Sequence, residues 1–320
     1  MKTILPWHQA LWQQALASWQ QDHLAHALLL CGSQGMGKAE FARNFAETIL
    51  CETGQACGKC KACHLLNAGT HPDFLQVKIA EKSKIITVDQ IREFIQYCTL
   101  TSNYGGYQIA ILNPAEAMNA NASNSLLKLL EEPPAKTLIM LISHQPMALS
   151  ATIRSRCQRL DFSRPEKKLT LAWLQNQLPA KQDAQLLLNL SAQAPLAALA
   201  LAEDIKKRGE LFDSLNQLVT NKEEPIKIAQ QWNKGNPKQI LEWMNSWIMD
   251  MIRYSLSANS SFIINKDIIN PLQNISKQFD LQALFKLLDL QTEAYRLITT
   301  QTNIKPQGLL ESVAIVWHNL

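Results

Sequence analysis

The sequence predicts an α/β domain built on a parallel sheet, followed by all-helical domains. Three observations lead there. Short apolar runs alternate with segments of helical periodicity over the first 165 residues. That alternation is the mark of a parallel sheet covered by helices on both faces. The texture breaks after Arg164-Pro165: eight of the eleven glycines lie before residue 107, and the remainder is rich in Leu, Gln and Ala. Beyond residue 206, long apolar stripes recur at helical spacing.

In chain order, Ala27–Cys31 is a short apolar run leading into a Gly-rich turn and reads as a buried strand. Residues 39–50 read as a helix, with Phe41, Phe45, Ala46 and Ile49 on one face. Residues 51–63 hold four cysteines. A helix over 88–99 puts Ile91, Phe94, Ile95 and Cys98 in phase. Gln108–Leu112 and Thr137–Ile142 read as two more buried strands, and Arg159–Phe162 as a candidate fourth. Between them, a helix over 123–130 is stopped by Pro133-Pro134, because a residue before proline leaves the helical region. Residues 166–204 read as a small helical unit. Further on, Ile240, Met244, Trp247, Ile248, Met251 and Ile252 form one stripe, and Leu281, Leu284, Phe285, Leu288 and Leu297 another. Both are assigned to core packing. The predicted domains are 1–165, 166–205 and 206–320.

The length of 320 residues suits two or three domains with real cores. Hydrophobic residues make up 47% and charged residues 18%, which argues against a long disordered tail. A net charge of +4 with no polybasic run permits contact with nucleic acid without arguing for it. No apolar stretch approaches the ~20 residues of a membrane span. The amino-terminal Met1-Lys2-Thr3-Ile4-Leu5-Pro6-Trp7 carries no apolar segment with a cleavage site. A cytoplasmic protein with reduced thiols is expected.

Gly32-Ser33-Gln34-Gly35-Met36-Gly37-Lys38-Ala39 follows a strand and opens a helix, the setting a phosphate-binding P-loop requires. Gly32, Gly35 and Gly37 let backbone amides curl around phosphate oxygens, and Lys38 supplies the neutralising charge. The pattern then calls for a Ser or Thr hydroxyl on Mg²⁺, but Ala39 has none. The partner strand of a hydrolytic site ends in Asp-Glu, to hold the metal and orient water. Here Gln108–Leu112 runs into Asn113-Pro114. Three losses at separate parts of one reaction predict negligible hydrolysis. The surviving cradle leaves two readings open: weak nucleotide binding, or a plain strand-to-helix turn.

Cys51, Cys57, Cys60 and Cys63 offer four thiols within thirteen residues. Four cysteines complete a tetrahedral structural zinc site and leave no open position for water. Redox chemistry is the alternative, and a disulfide framework suits a reducing compartment poorly. His64 and His71 are nearby and read as surface or packing residues. Cys31, Cys98 and Cys157 read as buried apolar residues.

Several segments taken together resemble the bacterial clamp-loader AAA+ subunits of DNA polymerase III. They are Ala25–Leu30 leading into the glycine loop, the cysteine knuckle after the loop's helix, Gly69-Thr70-His71-Pro72-Asp73, Asn124–Pro134 with its Glu-Glu-Pro-Pro end, and Ile153-Arg154-Ser155-Arg156-Cys157. The resemblance is strong over about residues 20–160 and general beyond. It implies a RecA-like AAA+ domain with a zinc knuckle, a small helical lid and a helical collar. The degraded loop resembles the delta-prime branch rather than the gamma/tau motor. Where the motor presents an arginine to its own nucleotide, the aligned residue here is Leu196.

By the same resemblance, Arg156 reaches in trans into the ATP site of a neighbouring gamma subunit. From the residues alone, a surface salt bridge remains the other reading. Arg154 and Arg159 are assigned to general surface charge. The implied partners are delta, three gamma/tau copies, the beta sliding clamp and primed DNA. The resemblance places the chain within DNA polymerase III, a nucleotidyltransferase, although no polymerase or exonuclease motif is present in it. Two rival readings stand beside this one: an active gamma/tau-like ATPase and a zinc-containing DNA-binding protein.

Overall fold

The structure is a computed structural model that describes residues 4–80, 83–180, 182–257, 262–300 and 304–319. Residues 1–3, where the amino-terminal reading begins, lie outside the described residues. The chain divides into two compact units, one of residues 1–173 with 194–197 and the other of 174–193 with 198–320.

The first unit carries helices α1 (Gln9–Gln20), α2 (Lys38–Leu50), α3 (Lys61–Ala68), α4 (Val88–Thr99), α5 (Ala120–Glu131) and α6 (Ala151–Arg156) around five strands. The strands are β1 (Ala27–Cys31), β2 (Phe74–Lys78), β3 (Gln108–Asn113), β4 (Thr137–Ser143) and β5 (Gln158–Asp161). All pairings are parallel, in the order β2-β3-β4-β1-β5. The central strands are buried along their whole length, which is why they read as unbroken apolar runs.

Alternate residues supply two cores. Leu28, Leu30, Ile109, Ile111, Leu138 and Met140 pack with Phe41 and Phe45 of α2 on one face. Ala27, Leu29, Ala110, Leu112, Ile139 and Leu141 pack with Phe94 of α4 and Leu126 of α5 on the other. At 25 cal/mol per Å², burying one such side chain contributes about 1.5–3 kcal/mol.

Several elements differ from the sequence reading. Helix α5 begins at Ala120, because Asn119 accepts the Ala122 amide and caps it early. Strand β5 starts and ends one residue sooner than expected, and the Phe162 amide then donates to the Cys31 carbonyl. Strand β2 was not anticipated: it is a half-buried edge strand, and half-buried edges lack the dense apolar signature.

Helix α7 (Lys167–Gln177) and helix α9 (Pro195–Val219) each begin in the first unit and continue into the second. The second unit is helical, with α8 (Ala184–Leu190), α10 (Pro225–Trp232), α11 (Pro237–Ser257), α12 (Ile269–Ser276), α13 (Leu281–Thr299) and α14 (Pro306–Asn319). All six residues of the predicted α11 stripe are buried, around Trp247. The α13 stripe needs correction. Its buried face is Leu284, Leu287, Gln291 and Ala294, while Phe285 is 45% exposed. Phe285 is one residue, or about 100° of helix, from Leu284 and so points off the core.

A buried polar network, invisible to pattern reading, runs through this unit. Arg208 of α9 pairs with Asp267 and donates to Asn265 Oδ1, beneath the Trp247 ring. Asp250 of α11 accepts from the amides of Ile264 (2.9 Å) and Asn265 (2.8 Å) and from Arg253 (2.6 Å). Among the described residues, no single helix is long and apolar enough to cross a membrane.

Candidate functional site

The glycine loop joins the C-terminal end of β1 to α2, whose N-cap is Gly37. Gly37 has φ of +89°, and a Cβ there would sit 2.5 Å from Leu5 Cδ1 and 2.7 Å from His8 Cε1. Only glycine fits. The Met36 carbonyl accepts from Trp7 Nε1 at 3.0 Å and from His8 Nε2 at 2.8 Å. Since a carbonyl only accepts, Nε2 carries the His8 proton. Burial pushes the His8 imidazole down to about 4, against a smaller upward pull from that bond. The Leu196 amide donates to the Gly35 carbonyl at 3.0 Å. The residue expected where a motor carries arginine thus touches the loop through its backbone.

Lys38 is turned onto the loop itself. Its Nζ donates to the carbonyls of Gly32 (2.6 Å) and Ser33 (2.7 Å), and the residue is 2% exposed. Burial lowers the ammonium to about 8, with the Glu116 carboxylate pulling the other way. Ala39 brings no hydroxyl beside it. The C-terminal end of β3, two strands away across β4, brings Asn113, whose Oδ1 is buried with no protein partner, and then Pro114.

The sequence reading stopped at Pro114 and missed Glu116. One Glu116 oxygen accepts the His144 amide at 2.9 Å, and the other is buried without a hydrogen bond. The signal was present as the first carboxylate after the β3 run, on the 3-10 turn Ala115–Ala117. Its carboxylate lies near Lys38 and pulls the ammonium upward against burial.

The four cysteines come together. The Sγ atoms of Cys51, Cys57, Cys60 and Cys63 all lie within 4.8 Å of one another, with Cys51 and Cys60 at 3.9 Å. A tetrahedral ion with metal–sulfur bonds of about 2.3 Å needs sulfur–sulfur edges of about 3.8 Å, so the set fits such an ion. The chain folds so because Cys60 caps α3, accepting the Cys63 amide, and Gly58 turns the Cys57–Cys60 segment at φ of +73°. Burial alone would raise the Cys51 thiol, but the Thr53 hydroxyl and the amides of Cys57, Gln55 and Thr53 outweigh it and bring it to about 5. The amides of Lys59 and Cys60 lower Cys57, whereas burial pushes Cys63 up to about 12.

His64 is exposed, and His71 is a packing residue whose Nδ1 accepts the Asp73 amide at 3.1 Å. Cys31 and Cys98 are buried, and Cys157 is half-buried against the same core as Cys98. Burial pushes the Cys98 and Cys157 thiols up to about 12.

Arg156 ends α6, two residues before β5 begins pairing with Leu28. Its Nη2 lies 2.6 Å from Glu131 Oε1, with the side chain 32% exposed. Arg159 pairs with Asp161 on the surface at 2.7 Å. Arg154, read as surface charge, is half-buried and reaches the Met147 sulfur at 3.0 Å. The parallel sheet separates the two candidate sites. The glycine loop leaves the C-terminal ends of the strands, and Arg156 stands at their N-terminal ends, about 16 Å of strand away. Arg156 therefore does not complete the loop of its own chain.

The DNA polymerase III, delta subunit family matches residues 7–166, and its C-terminal family matches 202–319. A Pseudomonas aeruginosa protein named DNA polymerase III subunit delta-prime is 34% identical over 100% of this chain and 99% of its own length. The chain belongs to the DNA polymerase III delta-prime family. The Escherichia coli delta-prime subunit is 32% identical, covering 78% of this chain and 76% of its own. A solved Thermotoga maritima protein related to the DNA polymerase III gamma subunit aligns over 95% of this chain and 99% of its own, at 16% identity and a TM-score of 0.42.

For this member of the delta-prime family, the motif residues fall into three separate places. Gly32, Gly35, Gly37 and Lys38 share the loop with Asn113 and Glu116 near it. Cys51, Cys57, Cys60 and Cys63 form the thiol cluster. Arg156 stands with Glu131 at the far ends of the strands. Asp73, quoted only as part of a motif, is 1% exposed and accepts from the Ser102 hydroxyl and the amides of Asn103 and Tyr104. It pins the turn after α4 against β2.

Proposed function

We propose that the chain serves in the DNA polymerase III clamp loader as a delta-prime subunit that does not hydrolyse nucleotide itself. In this reading it is a scaffold in a five-membered ring with delta and three gamma/tau copies. It supplies Arg156 in trans to a gamma/tau ATP site and helps place the beta sliding clamp on primed DNA. The observation that carries the reading is the pairing of an inward-turned Lys38 with a half-exposed Arg156 at the opposite end of the sheet. A guanidinium supplied from a neighbour stabilises developing phosphate charge and is worth ~10³–10⁵ in rate where measured in GTPases.

The same reading makes Cys51, Cys57, Cys60 and Cys63 the ligands of a structural Zn²⁺. The ion would tie the 51–63 segment together and take no part in chemistry. It divides the chain into an AAA+ domain at 1–165, a lid at 166–205 and a collar at 206–320. It makes the glycine loop a relic that does not support hydrolysis, and places the protein in the cytoplasm at the replisome.

Reconstitution with delta, gamma/tau, the clamp and primed DNA tests it. Clamp loading should require this chain. Arg156→Ala should cut DNA-stimulated hydrolysis by the assembled complex while assembly persists, and unchanged loading with that variant would sink the trans role. The isolated chain should not release phosphate above background, and robust metal-dependent turnover would favour a gamma/tau-like ATPase instead. Tight, salt-sensitive binding of the isolated chain to primed DNA would favour the DNA-binding reading.

A further inference from the structure

The Arg156 guanidinium is held from two sides. Nη2 lies 2.6 Å from Glu131 Oε1, and Nη1 donates to the Thr152 carbonyl at 3.1 Å, with the Ser155 hydroxyl at 3.5 Å. Both anchors ride on rigid backbone. Leu126, Leu129 and Leu130 of α5 share one core with Ile153 of α6. His26 Nε2 lies 3.1 Å from the Leu130 carbonyl, which ties the end of α5 to the start of β1.

Glu131 stands where a carboxylate is locally disfavoured. It is the last residue of α5, at the end of a helix that carries partial negative charge. A residue that breaks a local rule calls for a compensating interaction. Here the partner is the guanidinium itself. The pair is partly open to solvent, with side chains 32% and 47% exposed, so it adds little to folding. Its effect is instead to fix the plane of a side chain that has five N–H donors and many rotamers.

We propose that Glu131 is a positioning residue for Arg156. It holds the guanidinium in the orientation from which the remaining N–H groups meet the phosphate of a nucleotide bound by the neighbouring subunit. This rests on the trans-arginine reading above. An unpinned arginine would have to be ordered during each turnover, and that ordering would fall on the rate rather than on nucleotide affinity.

The test is a set of variants in the reconstituted complex: Arg156→Ala, Glu131→Ala, Glu131→Gln and the double alanine variant. Glu131→Ala should lower kcat for DNA-stimulated hydrolysis roughly tenfold or more and leave KM unchanged. Glu131→Gln, which keeps an oxygen acceptor at the same reach, should recover part of the loss. In the Arg156→Ala background, removing Glu131 should add nothing. If Arg156→Ala slows the complex while Glu131→Ala is neutral, faster, or independently additive, the positioning role is wrong and the trans-arginine reading stands. If Arg156→Ala itself has no effect, both fall together.

Discussion

Lys38 donates from Nζ to the Gly32 carbonyl at 2.6 Å, so the cation that a P-loop aims at phosphate is bound to the loop's own backbone. The Ser33 carbonyl accepts from the same group at 2.7 Å. Lys38→Ala would take the shared donor from two carbonyls at a part-buried place. It should destabilise the protein by about 1–3 kcal/mol, read from the denaturant midpoint. Hydrolysis by the reconstituted complex should be unaffected. A collapse of that activity without loss of stability would mean that Lys38 meets a nucleotide after all.

The thiol cluster predicts one equivalent of zinc per chain by elemental analysis. Chelation, Cys57→Ser or Cys63→Ser should release it and remove several kcal/mol, lowering Tm by about 10 °C. Full occupancy in the Cys63→Ser variant would place the metal elsewhere.

In the helical unit, Asp250 is 1% exposed and its carboxylate accepts the amides of Ile264 and Asn265. Asp250→Ala leaves those donors buried and Arg253 without its partner, at a cost of about 3 kcal/mol or more. Hydrogen exchange should show the loss over 262–268 and the end of α11. Unchanged protection there would show that water replaces the carboxylate freely.

His8 predicts an acid-side loss of stability. Its imidazole falls from 6.5 to about 4 on folding. Between these values the unfolded chain binds the proton and the folded chain does not, so stability rises with pH across that window. The contribution is complete above 6.5, is lost as pH falls toward 4, and amounts to about 3 kcal/mol. His8→Gln keeps a donor for Met36 and does not titrate. Its stability relative to the parent should improve steadily from pH 6.5 to 4, and a pH-independent difference would contradict the assignment. Asp73, which burial alone would raise but amides and hydroxyls hold below its usual range, is common to both proteins and cancels in that difference.

The strands β1, β3 and β4 were legible because strands buried on both faces leave unbroken apolar runs. The thiol cluster was legible because its ligands lie close in sequence, and the loss of hydrolytic groups because Ala39, Asn113 and Pro114 lack the atoms the chemistry uses. Strand β2 was not, since its half-buried residues carry no such contrast. Phe285 misled because a one-residue phase error costs nothing in a composition count yet rotates a side chain out of the core.

What the amino-acid order determined alone was local: strand and helix periodicity, four thiols near enough to meet, and which polar atoms the glycine loop lacks. Tertiary structure decided which distant groups became partners. It turned Lys38 onto Gly32, brought Glu116 toward that lysine, set Glu131 against Arg156, and buried Arg208 with Asp267. The reason is physical. A buried polar group must find a partner wherever packing puts one, and packing joins residues by proximity in space rather than by separation along the chain.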